Sequence, residues 1–187
     1  KYVTPFETGS YGMDVVTFTG NGSTQSISGL LFQSDLVWIK RINGSRDHMI
    51  HDSVRGNNKA LYPSQNYAEA TTSGVTSFTS TGFTLGTDAH LNANSDTYCA
   101  WCWRAGGAPT TDNVAAAGNV PTAGSVKIDY ANMTTALAGS VPVTRASAST
   151  QYGFSIINFS VPSSAPYTVA HLLGTVPSMI ILKSVDT

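Results

Sequence analysis

The sequence predicts an all-β protein, a sandwich or barrel of short antiparallel strands. Three observations predict it. Apolar residues arrive in short bursts rich in β-branched and aromatic types, separated by Gly, Asn, Asp and Ser turn signals about every 8–12 residues. Ser and Thr together number 45 and Gly adds 17 among 187 residues, a composition suited to strands and turns and poor in helix formers. The chain also begins twice, since YGMDVVTFTGNGSTQSISGLLFQSDLVWIKR from Tyr11 to Arg41 restarts as YGFSIINFSVPSSAPYTVAHLLGTVPSMIILK from Tyr152 to Lys183. Tyr11-Gly12 aligns with Tyr152-Gly153, Phe18 with Phe159, Ile27 with Val169, Leu30 with Leu172 and Lys40 with Lys183. The offset is 141 between residues 11 and 152 and 143 between residues 40 and 183, so two small loop insertions reconcile the copies. A restart of this kind marks a repeat architecture. The expected organisation is a first unit over 11–107, a linker with a short strand over 108–150, and an incomplete second repeat over 151–187 of a longer polypeptide.

Along the first unit, Met13 to Thr19 alternates as a strand and Gly20-Asn21-Gly22-Ser23 turns the chain. Gln25 to Leu31 is a short second strand. Leu36 to Ile42 is apolar on both faces at first, as a central sandwich strand is. Asn43-Gly44 signals a hairpin returning through His48 to Val54, and Lys59 to Pro63 follows a turn at Arg55-Gly56-Asn57-Asn58. Ser64 to Gly74 is polar, with one helical turn at most around Tyr67 to Ala70. Val75 to Thr79 and Phe83 to Leu85 form a hairpin, and Gly86 to Asp96 is a loop. Thr97 to Arg104 closes the unit with Trp101 and Trp103 on one face. A buried Trp removes roughly 150–250 Å² from water, about 4–6 kcal/mol gross, so this strand is expected to be a keystone of the core. In 108–150, Ser125 to Tyr130 reads as a small strand and Thr134 to Ala138 as a loop or single helical turn.

Bulk properties exclude several functions. Net charge is -1 and only 11% of residues are charged, so there is no basic field for nucleic acid or anionic lipid. No apolar run approaches the roughly 20 residues of a membrane span. The chain starts at Lys1 with neither initiator Met nor signal-peptide core, as expected of a fragment or a processed chain.

Cys99 and Cys102 form a CxxC, but on a strand i and i+3 face apart, so two unpaired structural thiols are expected. The same argument separates His48 from His51 as metal ligands. Asp35, Asp47, Asp88, Asp96 and Asp112 fall at turns, where capping explains them better than a glycosidase carboxylate pair does. No Gly-x-Ser-x-Gly elbow is present. The Asp88–Asp96 loop is rich in oxygen ligands for Ca²⁺ yet lacks EF-hand spacing. Neither a catalytic residue, nor a resident metal, nor a cofactor is therefore expected. Arg55, Tyr62, Asn66 and Tyr67 lie in or beside loops and are the candidate glycan contacts, through ring stacking and amide hydrogen bonds.

The ordered blocks TFTGNGSTQSISGL, SDLVWIKR, HDSVRG, TSFTSTGFTLG, DTYCAWCWRAGGAP and AGSVKIDYANMTTALAGSVPVTRASA before YGFSII resemble a β-sandwich domain that recurs in bacteriophage tail fibres and other virion structural proteins. That domain is similar to concanavalin A-like, lectin-like jelly rolls. The resemblance implies an antiparallel jelly-roll sandwich in a virion component, either a tail-fibre module for host-surface attachment or, alternatively, a carbohydrate-binding adhesin or a capsid-associated decoration protein. It further implies other virion subunits as partners, a homo-oligomer with a trimer favoured, and a host surface glycan as a further partner. His51 stands where that pattern has an aromatic or aliphatic residue, which predicts a position nearer the surface. In the second copy, Ile156, Ile157, Phe159, Ile180 and Leu182 are expected to be mostly buried only when partner chains or a continuation of the repeat cover them.

Overall fold

A computed structural model describes residues 11–163 and 165–186. Its architecture is all-β, a sandwich of antiparallel sheets. The strands of the first unit are β1 Met13–Thr19, β2 Gln25–Ser28, β3 Leu36–Arg41, β4 Met49–Asp52, β5 Gly56–Leu61, β6 Ala70–Thr71, β7 Val75–Thr79, β8 Gly82–Leu85 and β9 Thr97–Trp103. A single turn of helix, α1 Ala89–Asn92, interrupts the loop before β9 and is capped by the Asp88 side chain, which accepts from the His90 N–H at 2.8 Å. The helical turn expected near Tyr67 does not form; β6 begins there instead.

One sheet runs β1-β9-β3-β4-β5-β6 and the facing one β2-β8-β7. Ile27, Val75, Phe83 and Leu85 from the smaller sheet meet Val37, Ile39, Met49, Ala60, Tyr98, Ala100 and Cys102 from the larger in a single core. Strand β9 is the last to be made and lies between β1 and β3, pairing Met13 with Trp103 on one side and Leu36 with Trp103 on the other. The centrality expected of this strand holds, but the expected role of its tryptophans does not. Tyr98, Ala100 and Cys102 are the buried positions, while Trp101 and Trp103 are half-buried on the outer face. The packed space between the sheets takes the smaller alternate set, and the indoles are left outside.

Asn92 and Asp35 fasten the loops around this core. Asn92 is fully buried; its amide nitrogen donates to the Gly86 carbonyl at 2.8 Å and its oxygen accepts from the Asn21 N–H at 3.0 Å, joining the β1–β2 turn to the β8–α1 loop. Asp35, also fully buried, accepts from Ser53 Oγ at 2.8 Å, from the Ala105 N–H at 2.8 Å and from the Gly107 N–H at 3.4 Å. Burial raises its pKa, and these donors oppose the rise.

The stretch after Gly107 holds three further strands, β10 Val126–Ile128, β11 Ala131–Asn132 and β12 Val143–Ser149, followed by β13 Phe154–Phe159. They form the sheet β11-β10-β12-β13, in which β10 and β12 are parallel. Val126, Leu137, Val143 and Ala146 make a second, smaller core on which Ile157, Val169 and Leu172 pack. The repeat alignment has a structural counterpart here, since Val169 and Leu172 match Ile27 and Leu30 of the first core. The likeness stops at the next strand. Val37 and Ile39 are 0% exposed in β3, whereas Ile180 is 70% and Leu182 76% exposed in irregular backbone. Two or three strands were expected over Tyr152–Lys183; the described residues there form one, β13, plus an isolated bridge from Val169 to Gly139. Ile156, Ile157 and Phe159 are half-buried in the single chain.

Because Phe83 is fully buried and Trp101 is not, Phe83→Ala is expected to cost about 3–5 kcal/mol and Trp101→Ala about 1–3 kcal/mol. Urea unfolding of the two variants checks the order, and equal losses would return Trp101 to the core.

Candidate functional site

Residues paired across a sheet share a face, so the registers assemble a row Val15–Trp101–Trp38–Ile50–Leu61 across the outer side of the six-stranded sheet. A second row runs Met13–Trp103–Leu36–Asp52. Trp38 and Trp101 meet edge to face with centroids 6.5 Å apart. The Trp38 indole N–H donates to His48 Nδ1 at 2.9 Å, which fixes the proton of neutral His48 on Nε2. Burial and the nearby Lys40 lower the His48 pKa.

The second sheet meets this face at its β1 end. Phe154 stacks on Trp103 with centroids 5.8 Å apart. Gly12 has no room for a side chain, because a Cβ there would lie 2.3 Å from Tyr152 Cβ. The Arg104 guanidinium lies over the Tyr130 ring at 5.1 Å and the Tyr152 ring at 5.4 Å, and its Nε donates to Tyr130 Oη at 3.0 Å. Gly106 continues the seam, its N–H donating to Ser147 Oγ and its carbonyl accepting from the Tyr130 N–H. Tyr11, Gly12, Met13, Trp103, Tyr152, Gly153 and Phe154 border an open groove of about 350 Å³. Tyr11 and Met13 remain 46% and 40% exposed along it, and Val15, beside Trp101, is 45% exposed next to it. The surface is apolar and aromatic, suited to stacking on a flat ring or to packing against another protein face.

The four predicted glycan contacts are placed unevenly. Tyr62 and Tyr67 come together edge to face, 5.7 Å between centroids, with Asn66 exposed beside them on the β5–β6 loop. Arg55 is engaged elsewhere. Its guanidinium donates to Asp52 Oδ2 at 2.7 Å, Glu69 Oε2 at 2.8 Å and the Ile50 carbonyl at 3.3 Å, and its side chain is 6% exposed. It therefore holds the β4–β5 turn rather than facing a ligand. The tail lies next to this loop, with Lys183 Nζ donating to the Tyr67 carbonyl and the Glu69 N–H to the Val185 carbonyl.

The remaining candidates have structural surroundings. Cys102 is buried, its thiol pushed up to about 12 by desolvation, and Cys99 sits half-buried on the opposite face. Asp96 pairs with Arg41 at 2.6 Å and Asp112 with Arg145. Among the described residues no group of three or more His, Cys, Asp and Glu is placed to hold a metal ion, and no helix is long and apolar enough to cross a membrane.

His51 was expected near the surface and is instead 0% exposed. Its Nδ1 lies 2.8 Å from the Asn57 carbonyl; a carbonyl only accepts, so Nδ1 carries the proton. Nε2 faces Gly74 and Leu91 and has no hydrogen-bond partner among the described residues. This core position is thus filled by a neutral imidazole. The outer aromatic face was missed for a related reason: alternation shows that Trp101 and Trp103 share a face, and both faces of the strand are apolar, so sequence does not say which is inside.

An all-β protein whose six-stranded and four-stranded sheets meet at an aromatic seam is the class that the fold and this site define. The chain belongs to the family described as "Domain of unknown function (DUF7483)", which matches residues 8–131 and 127–187. No curated protein and no solved structure matches it.

Desolvation, with a smaller contribution from Arg55, lowers the His51 pKa from 6.5 to about 4, against the Asn57 carbonyl and Asp88, which raise it. Between these values the unfolded chain binds the proton first, so stability falls as pH drops from 6.5 toward 4, by at most about 3 kcal/mol. The melting temperature of the parent is expected to fall relative to that of His51→Leu as pH drops across that window. A parallel pair of curves would remove His51 from the account.

Proposed function

We propose that this chain is a non-enzymatic structural module of a bacteriophage particle, a piece of a tail fibre or similar appendage that contributes to host-surface attachment. The observation that carries the reading is the seam. The end of one unit, Trp103 to Gly106, is built into the sheet that contains the first strand of the next, through Phe154, Tyr152, Tyr130 and Ser147. A chain joined so, unit to unit without a flexible hinge, transmits force along a fibre. One further feature agrees with a structural role. Its buried carboxylates, Asp35 and Asp52, are saturated by loop donors and Arg55. The particle itself is inferred from the block order in the sequence.

A second reading is favoured by the exposed Tyr11 and Met13 beside Trp103. This face then stacks on a sugar ring, and the protein is a carbohydrate-binding adhesin. A capsid-associated decoration protein is the remaining place on the particle. Antibody labelling of purified particles is expected to mark an appendage; labelling of the shell selects decoration, and absence from the particle refutes the virion reading. A glycan array probed with the whole chain separates the adhesin, with binding expected to fall at least about tenfold in Trp103→Ala if sugar stacks there.

A further inference from the structure

Among the described residues, strand β13 has one paired edge and one open edge, and the repeat shows what fits the open one. At the two ends of β1, Gly20 donates to the Asp96 carbonyl and the Gly12 carbonyl accepts from the Arg104 N–H. Backbone polar groups alternate sides along a strand, so Asp14, Val16 and Phe18 also turn theirs toward β9. In the second sheet, Ala146 donates to Ser125 and the Ala148 carbonyl accepts from Asp129, so Ala146 and Ala148 face β10. Arg145, Ser147 and Ser149 therefore face β13, and with them their register partners Asn158, Ile156 and Phe154 face β12. That leaves Ser155, Ile157 and Phe159 pointing their N–H and C=O groups at the open edge. At an offset of 141 these are the counterparts of Asp14, Val16 and Phe18. The open edge of β13 is the edge that β9 occupies on β1.

The same missing neighbour accounts for residues 179–182. Their counterparts in β3 pair with β9 on one side and β4 on the other. No described strand stands in either place, and Met179, Ile180, Ile181 and Leu182 are 62–77% exposed.

We propose that β13 and the Met179–Leu182 run together form an acceptor for one β-strand of the β9 kind, the closing strand of a complete repeat. Transferred registers pair Ser155, Ile157 and Phe159 of β13 with the donor's counterparts of Cys102, Ala100 and Tyr98. On the donor's other edge they pair Met179, Ile181 and Lys183 with its counterparts of Trp103, Trp101 and Cys99. Donor side chains at the Tyr98, Ala100 and Cys102 positions then extend the second core, and the two indole positions continue the outer face beyond Phe154. The tail leaves its contacts with Tyr67 and Glu69 to enter the sheet. This inference is independent of the virion reading.

The test uses the whole chain and a reduced synthetic peptide spanning Ser95 to Ala105, with a peptide of the same composition in scrambled order as control. Amide hydrogen exchange is read residue by residue. The peptide is expected to slow exchange at Ile157, Phe159, Ile181 and Lys183 by about tenfold or more at saturation. The scrambled peptide is expected to leave them unchanged. No protection, equal protection by both peptides, or protection confined to β1 and β3 through displacement of the chain's own β9 would overturn the proposal. So would concentration-dependent protection of β13 without peptide, which assigns the edge to a second copy.

Discussion

The pairing of β9 on both edges is the constraint on which the first unit depends. β1 and β3 do not touch each other in the sheet; each is bonded to β9, which arrives some eighty residues after β1. Loop-closure entropy must be met before this pairing rewards it, so the unit stays open until residues 97–103 are in place. The inner side of that strand supplies Tyr98, Ala100 and Cys102 to the core, and its outer side supplies the two indoles around which the aromatic face is built. Its exit carries Arg104, Ala105 and Gly106 into the second sheet and onto Asp35. A single strand thus closes the sandwich, sets the outer face and starts the seam.

The second copy shows the same dependence from the other side. Its first strand and the positions matching Ile27 and Leu30 do pack, because β10 and β12 offer them a small apolar surface and an edge. The run matching β3 is as apolar as its counterpart and yet lies exposed and irregular. Intrinsic strand preference is the same in both copies; what differs is the presence of neighbours. Strand formation in the 179–182 run is a matter of tertiary pairing, as the context dependence of β-propensity implies.

Much of the fold was legible in the sequence. The bounds of β1 follow from alternation between Gly12 and Gly20, and the hairpin of β7 and β8 from Ser80-Thr81-Gly82. The restart is legible in part because two of its anchor pairs, Ile27 with Val169 and Leu30 with Leu172, pack in or against a core in both places. Strand β12 was hidden, since Val143-Thr144-Arg145-Ala146-Ser147-Ala148-Ser149 offers small residues that pack tightly but raise no hydrophobic signal. His51 was misread because a polar residue at an apolar position suggests exposure, whereas its ring is neutral and half-satisfied inside. Of the candidate site, Tyr62, Asn66 and Tyr67 were legible as loop residues. Arg55 was not distinguishable from a free cation until Asp52 and Glu69 were seen around it.

The most direct test of the central role of β9 is native-state amide hydrogen exchange in low concentrations of denaturant. Amides of Tyr98 to Trp103 are expected to exchange only through global unfolding, with the slowest rates in the chain, while those of β13 exchange through smaller openings. Exchange of the β9 amides through an opening of lower free energy than that of β7 and β8 would contradict the account.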